Sequence, residues 1–322
     1  MRNTRQLLFA LGAAAVFFGG CSVFPTSLEQ EYQFQERASF AAEAEDAFAS
    51  GFAKDLCVLA ADASFADASI DSEAAALFAD SKGEVLYAKN AFERLYPASI
   101  TKVMTALLVF ENANLDDMVT VPEEVNAITE AGATMCGIKA GDVISMRELL
   151  YGLLLPSGND AAAAIAVHMD GSVEAFAERM NRRARELGAT GTHFENPHGL
   201  HTENHYTTAY DLYLIFREAY RHSEFQEMIH TSSHTALYQD AQGDVMTATW
   251  KNSNWFLTGQ KEAPSGVAVV GGKTGTTKAA GYCLILASKD EENQDYISVV
   301  LKAQSRASLY ENMYHLVEKI VN

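Results

Sequence analysis

Positive charge is scarce in this chain. Its 322 residues carry 24 Lys and Arg against 42 Asp and Glu, a formal net charge of -18 at pH 7. A surface of that sign repels phosphate, which argues against nucleic acid as a partner. Cysteine is also rare, at Cys21, Cys57, Cys136 and Cys283. There is no CxxC pair to suggest a zinc site, and an odd set of widely spaced thiols is a poor disulfide framework once Cys21 is set apart. Cys57, Cys136 and Cys283 each stand among apolar or small residues and read as buried thiols. Internal repeats are absent, and no apolar run is long enough for a clear membrane span. A 48% hydrophobic content still allows a sizeable core.

The amino-terminal residues point to export. Arg2 and Arg5 precede the apolar run "LLFALGAAAVFFGG", which ends at Cys21. A basic start followed by a short apolar stretch is a secretory signal, not a domain helix. "FGGC", residues 18–21, resembles the bacterial lipoprotein cleavage box, with Phe18 where Leu is usual. Residues 1–21 are therefore expected to be a signal with Cys21 as its lipidation site; the alternative is an ordinary signal peptide cleaved nearby. Residues 22–50 show no sustained period and read as a tether, leaving 51–322 as the domain.

Within that domain, "KDLCVLA" (54–60) suggests a first strand, and "AAALFADSKGEVLYAKN" (74–90) a hairpin turning at Ser81-Lys82-Gly83. Helical spacing follows over 101–113, 145–155, 159–169, 172–188 and 207–222. Ser145 with Glu148 forms a capping-box pattern. Strands return over 266–277, 281–290 and 296–305, and 309–322 closes as a helix. Strands at both ends and helices between them predict an α+β fold: one antiparallel sheet built from both chain ends and flanked by helices.

Several hydrolase signatures are missing. There is no G-x-S-x-G elbow and no H-E-x-x-H helix. "GGKTGTT" (271–277) approaches a phosphate loop, but its glycine spacing is wrong and it runs into a strand instead of a helix. Ser99-Ile100-Thr101-Lys102 is more telling. A serine and a lysine three apart at a helix start share one face, beside free backbone N–H groups that favour a developing oxyanion. A lysine whose charge is suppressed can take the serine proton. Alone, the pattern fits a helix cap and a solvated lysine equally well. Ser157-Gly158-Asn159, itself a good cap sequence, and Lys273-Thr274-Gly275 then follow in order. S-x-x-K, S-x-N and K-T-G together form the triple of β-lactamases and penicillin-binding proteins.

With "LFADSKGEVLYAKNAFERLYPASITKVMTALL", "LLYGLLLPSGNDAA", "NPHGLHTENHYTTAYDL" and "KTGTTKAAGYCLILAS", the chain resembles the serine-type D-alanyl-D-alanine carboxypeptidases. These are low-molecular-mass penicillin-binding proteins of peptidase family S11, and the likeness covers roughly residues 51–322. It implies a β-lactamase/transpeptidase-like fold and removal of the terminal D-Ala from peptidoglycan stem peptides, with β-lactams as inhibitors. On this resemblance Ser99 is the nucleophile, Lys102 its general base, Ser157 the proton relay to the leaving amine, and Asn159 the group that orients Lys102 and binds the substrate amide. Lys273, Thr274 and Thr276 receive the substrate carboxylate, Gly275 admits close approach, and the N–H groups of Ser99 and Thr276 form the oxyanion hole. Arg306, placed at the end of the last strand, is the candidate cationic partner; a surface arginine is the equal alternative. His198, His201 and His205 suggest a zinc D,D-peptidase, which cuts the same bond, but they lie in a loop without the acidic partner, so no metal or other cofactor is expected. A β-lactamase of the same fold lacks support, because no E-x-x-L-N pattern lies between Asn159 and Lys273. A non-catalytic cell-wall binding protein would not need the complete set. The resemblance places the protein outside the cytoplasmic membrane, and the lipid on Cys21 is expected to replace the carboxy-terminal anchor that many relatives carry.

Overall fold

The computed structural model describes residues 56–60 and 65–322, all within the unit that runs from Asp55 to Asn322. The signal, Cys21 and the tether lie outside the described residues.

A five-stranded antiparallel sheet organises the molecule. Its strands are β1 (Ala74–Ala79), β2 (Glu84–Lys89), β7 (Ala268–Thr277), β8 (Gly281–Lys289) and β9 (Asp295–Ala303), in the order β2-β1-β9-β8-β7. β1 pairs with β9, with Ala76 opposite Val299, so the two ends of the domain close on each other. Every residue of β1 is buried. Because successive side chains point to opposite faces, Ala74, Ala76 and Phe78 join the core shared with the helical middle. Ala75, Leu77 and Ala79 join a second core with Leu309, Met313 and Leu316 of the closing helix. That helix is α7 (Arg306–Glu318), capped by Ser305, whose Oγ accepts the Ser308 N–H.

The middle contains α1 (Lys102–Asn112), α2 (Met146–Leu154), α3 (Asn159–Asp170), α4 (Val173–Glu186), α5 (Ala209–Tyr220) and α6 (Ser223–His230). Residues 102–109 of α1 are all buried; a helix apolar nearly all round belongs at the centre of a core. A smaller sheet completes the fold: β3 (Met118–Thr120), β4 (Val143–Ser145), β5 (Ser233–Gln239) and β6 (Val245–Lys251), in that order.

Three expectations are corrected. Residues 57–60 form no strand. The Cys57 backbone is satisfied by tyrosine hydroxyls instead of a ladder: its N–H donates to Tyr213 Oη and its carbonyl accepts from Tyr210 Oη. The capping box is half made. Ser145 Oγ accepts the Glu148 N–H, but the Glu148 carboxylate turns to His234 Nε2 at 2.6 Å. Arg306 is the first residue of α7, not the end of a strand.

Candidate active site

Ser99 sits on a strained turn. Pro97 leads into a 3-10 turn over Ala98–Thr101, which runs directly into α1 at Lys102. Ala98 has φ +48°, a left-handed conformation that costs an L-residue about 1–2 kcal/mol. Three residues per 3-10 turn stack i on i+3, so Lys102 Nζ stands 3.0 Å from Ser99 Oγ.

Lys102 is fully buried. Its Nζ donates to Asn159 Oδ1 and to the His198 carbonyl oxygen, each at 2.7 Å. Burial holds its pKa well below the ordinary lysine value, and the nearby charge of Lys273 acts in the same direction; Asp160 opposes both. A neutral amine has two hydrogens and one lone pair. Nζ also donates to Ser99 Oγ; when the amine is neutral and its two hydrogens stay with the carbonyl acceptors, the lone pair is the part left to face that hydroxyl.

α3 starts at Asn159, so its first residue reaches back to Lys102. Ser157, two residues earlier, has φ +70°. Its Oγ is buried without a hydrogen-bond partner, a costly state for a hydroxyl and one suited to a group that serves a substrate. The loop is held from behind, since Gly158 N–H donates to the Gly152 carbonyl and Asn159 N–H to that of Thr134, both at 2.8 Å.

β7 is one of the two edge strands of the large sheet and forms the opposite wall. Lys273 is buried, and burial lowers its pKa to about 7. Its Nζ donates to the Thr274 carbonyl. A Cβ on residue 275 would lie 2.8 Å from the Pro97 oxygen and 3.1 Å from the Ser99 and Ile100 nitrogens. Gly275 thus brings the strand against the turn that carries Ser99, a tighter requirement than clearance for a substrate. Thr276 opens onto a cavity of about 520 Å³ that it shares with Glu130, Leu200, His201 and Lys278. The structure therefore brings Ser99, Lys102, Asn159 and Lys273 together, with Ser157 and Thr274 to Thr276 around them. Arg306 is exposed, with its guanidinium 5.8 Å from the Trp255 ring.

Known proteins are similar in sequence and fold. A family profile described as D-alanyl-D-alanine carboxypeptidase matches residues 60–305. The chain belongs to the D-alanyl-D-alanine carboxypeptidase family. Within that family, DacF of Bacillus subtilis is 33% identical over 240 residues, 73% of this chain and 58% of that protein. The D-alanyl-D-alanine carboxypeptidase of Streptomyces sp. strain K15 is 36% identical over 216 residues, 64% of this chain and 72% of that protein. The crystal structure of the Streptomyces K15 DD-transpeptidase matches with a TM-score of 0.73 at 31% identity, covering 79% of this chain and 98% of that one. The chain spans less than two thirds of the length of the Bacillus subtilis relative.

This carboxypeptidase-family site has supports that no short motif announces. The loop 196–205 lies along α1 and its preceding turn at three points: the His198 carbonyl at Lys102, the Pro197 carbonyl at Thr105 Oγ1 (2.6 Å), and the His205 ring at Thr101 Oγ1 (2.8 Å). Among the described residues no group of three or more His, Cys, Asp or Glu is placed to hold a metal ion, the histidines of this loop included. Asp160 accepts the N–H groups of Cys136 and Gly137 at 2.9 and 2.8 Å, tying the preceding loop to α3. Ser253 Oγ lies 2.6 Å from Thr274 Oγ1. Asp160 adjoins the S-x-N motif in sequence and could have been noticed there; Ser253 had no local signal.

Proposed function

We propose that this protein is a serine D-alanyl-D-alanine carboxypeptidase that removes the terminal D-Ala from peptidoglycan stem peptides through an acyl-enzyme on Ser99. The observation that carries the reading is the arrangement of Lys102: buried, its Nζ bonded to the Asn159 and His198 carbonyl oxygens and 3.0 Å from the Ser99 hydroxyl.

Lys102 takes the Ser99 proton as Ser99 Oγ attacks the carbonyl carbon between the two D-alanines. The N–H groups of Ser99 and Thr276 receive the oxyanion. The proton passes from Lys102 through Ser157 Oγ to the leaving nitrogen, the C–N bond breaks, and D-alanine departs. Water then attacks the ester, and Ser99 Oγ recovers its proton. Thr274, Thr276 and the charge of Lys273 hold the terminal carboxylate, which gives the exopeptidase preference. Arg306 enters that role only if its guanidinium leaves Trp255. A β-lactam mimics the peptide and acylates the same serine, so it inhibits.

The site of action is the extracytoplasmic face of the bacterial membrane, with the protein held by lipid on Cys21. Among the described residues no helix is long and apolar enough to cross a membrane. Cys21→Ala should release the protein from membranes, and firm attachment of that variant would remove the lipid anchor from the proposal.

The test is release of D-alanine from a peptide ending in D-Ala-D-Ala by the full chain, with Ser99→Ala alongside. Release by wild type, none by Ser99→Ala and a penicilloyl adduct on Ser99 by mass are expected. Release that survives Ser99→Ala would sink the serine mechanism.

A further inference from the structure

The peptide unit that joins Ala98 to Ser99 contains both a pinned carbonyl and the proposed oxyanion-hole N–H. A trans peptide is planar, with its C=O and N–H pointing opposite ways, so fixing the Ala98 carbonyl also fixes the direction of the Ser99 N–H. Thr101 Oγ1 donates to the Ala98 oxygen at 2.8 Å. That commits the only hydroxyl proton of Thr101. His205 Nε2 lies 2.8 Å from the same Thr101 oxygen, so the ring nitrogen must be the donor. The other ring nitrogen agrees: Nδ1 accepts the Glu195 N–H at 3.1 Å and carries no proton. The hydrogen bonds therefore run in one direction, from Glu195 N–H through the ring of His205 and the hydroxyl of Thr101 to the Ala98 carbonyl.

The surroundings keep His205 in that tautomer. It is 2% exposed and packs edge-on against Phe194 at 5.5 Å. Burial lowers its pKa to about 3, and the neighbouring His193, His201 and Lys102 act in the same direction. Gly199 closes on the Ala98 carbonyl from another side; a Cβ there would come within 1.9 Å of the oxygen.

We infer that His205 is a positioning residue for acylation: through Thr101 it holds the left-handed Ala98 peptide and thereby aims the Ser99 N–H at the developing oxyanion. The inference rests on the serine acyl-transfer reading of the site. It adds a residue that touches neither substrate nor nucleophile, and it makes Thr101 more than a spacer in the S-x-x-K motif.

The experiment follows acylation of the full chain by a fluorescent penicillin, resolving the non-covalent dissociation constant from the acylation rate constant over a pH series. Loss of one oxyanion donor costs about 10²–10³-fold in rate, so a misaimed donor should cost roughly ten- to a hundredfold. His205→Phe and Thr101→Val should each lower the plateau acylation rate by that factor. The dissociation constant and the acidic limb set by Lys102 should stay where they are. Thr101→Ser, which keeps the hydroxyl, should recover most of the loss. The double variant His205→Phe/Thr101→Val should lose little beyond either single one, because both break the same chain. Where His205→Phe does not fold, the Thr101→Val and Thr101→Ser pair decides. Unchanged acylation rates, or a loss confined to the dissociation constant, would overturn the positioning role. A wild-type chain that forms no adduct at all would instead count against the serine reading.

Discussion

The hydroxyls of Ser253 and Thr274 meet at 2.6 Å. Only one of them can donate to the other, so the pair has one further proton for an arriving carboxylate. Ser253→Ala frees the Thr274 rotor. A hydrogen bond of this kind is worth about 0.5–1.5 kcal/mol, so KM for a D-Ala-D-Ala peptide should rise roughly two- to tenfold while kcat moves less. Steady-state kinetics check this, and a loss that falls on kcat alone would refute the assignment.

The pKa of Lys273, lowered to about 7 by burial, sets an alkaline limit on the free enzyme. On the proposed mechanism, the ammonium attracts the substrate carboxylate below that pH, and the attraction is lost above it. Lys102 works with the opposite sign, since it must be neutral to accept a proton and loses activity as pH falls. A bell-shaped kcat/KM profile with its alkaline limb near the Lys273 value is expected. Lys273→Gln should lower the whole curve and remove that alkaline limb. Initial rates from pH 5 to 9 provide the measurement.

Stability should decline in acid because of His205. Its pKa falls from an ordinary 6.5 to about 3 in the folded chain. Between those values the unfolded chain binds a proton that the folded chain does not, so stability is full above 6.5 and is lost as pH drops toward 3. The slope is about 1.4 kcal/mol per pH unit for a single such group. His198 adds a contribution of the same sign. Urea midpoints at pH 7, 6, 5 and 4 should fall steadily, and less steeply in His205→Phe.

Gly275→Ala tests the contact between β7 and the Ser99 turn. The added carbon meets the Pro97 oxygen at 2.8 Å and the Ser99 nitrogen at 3.1 Å, so strand and turn must part. A displacement near 1 Å in reacting geometry can cost about 10²-fold in rate. Penicillin acylation should fall by about that factor, with thermal unfolding much less affected. Near-normal acylation would show that the strand does not position the serine.

The sequence revealed chemistry carried by short spacings and missed chemistry carried by the backbone. Ser99 with Lys102, and Ser157 with Asn159, were legible because each pair is set by one local turn. The sheet was legible because the residues of β1, β8 and β9 are apolar runs bounded by turn residues. The β5–β6 hairpin was not, since Leu237 and Val245 are exposed among threonines and give no clean alternation. The apolar run at 54–60 misled because its fate depends on tyrosines of α5, far away in sequence. The His198 carbonyl at Lys102 could not be read at all, because any residue supplies a carbonyl.

The pairing of β1 with β9 also sets a timetable. Ser99 and Lys102 follow closely after β1, but Lys273 and its strand are fixed only once β8 and β9 close the sheet. Pairings between chain ends are slow to form, because the whole intervening chain must be brought round first. A chain in which β8 and β9 have not yet formed therefore holds Ser99 and Lys102 without the facing wall. On the proposed mechanism, acylation waits until β8 and β9 have joined the sheet.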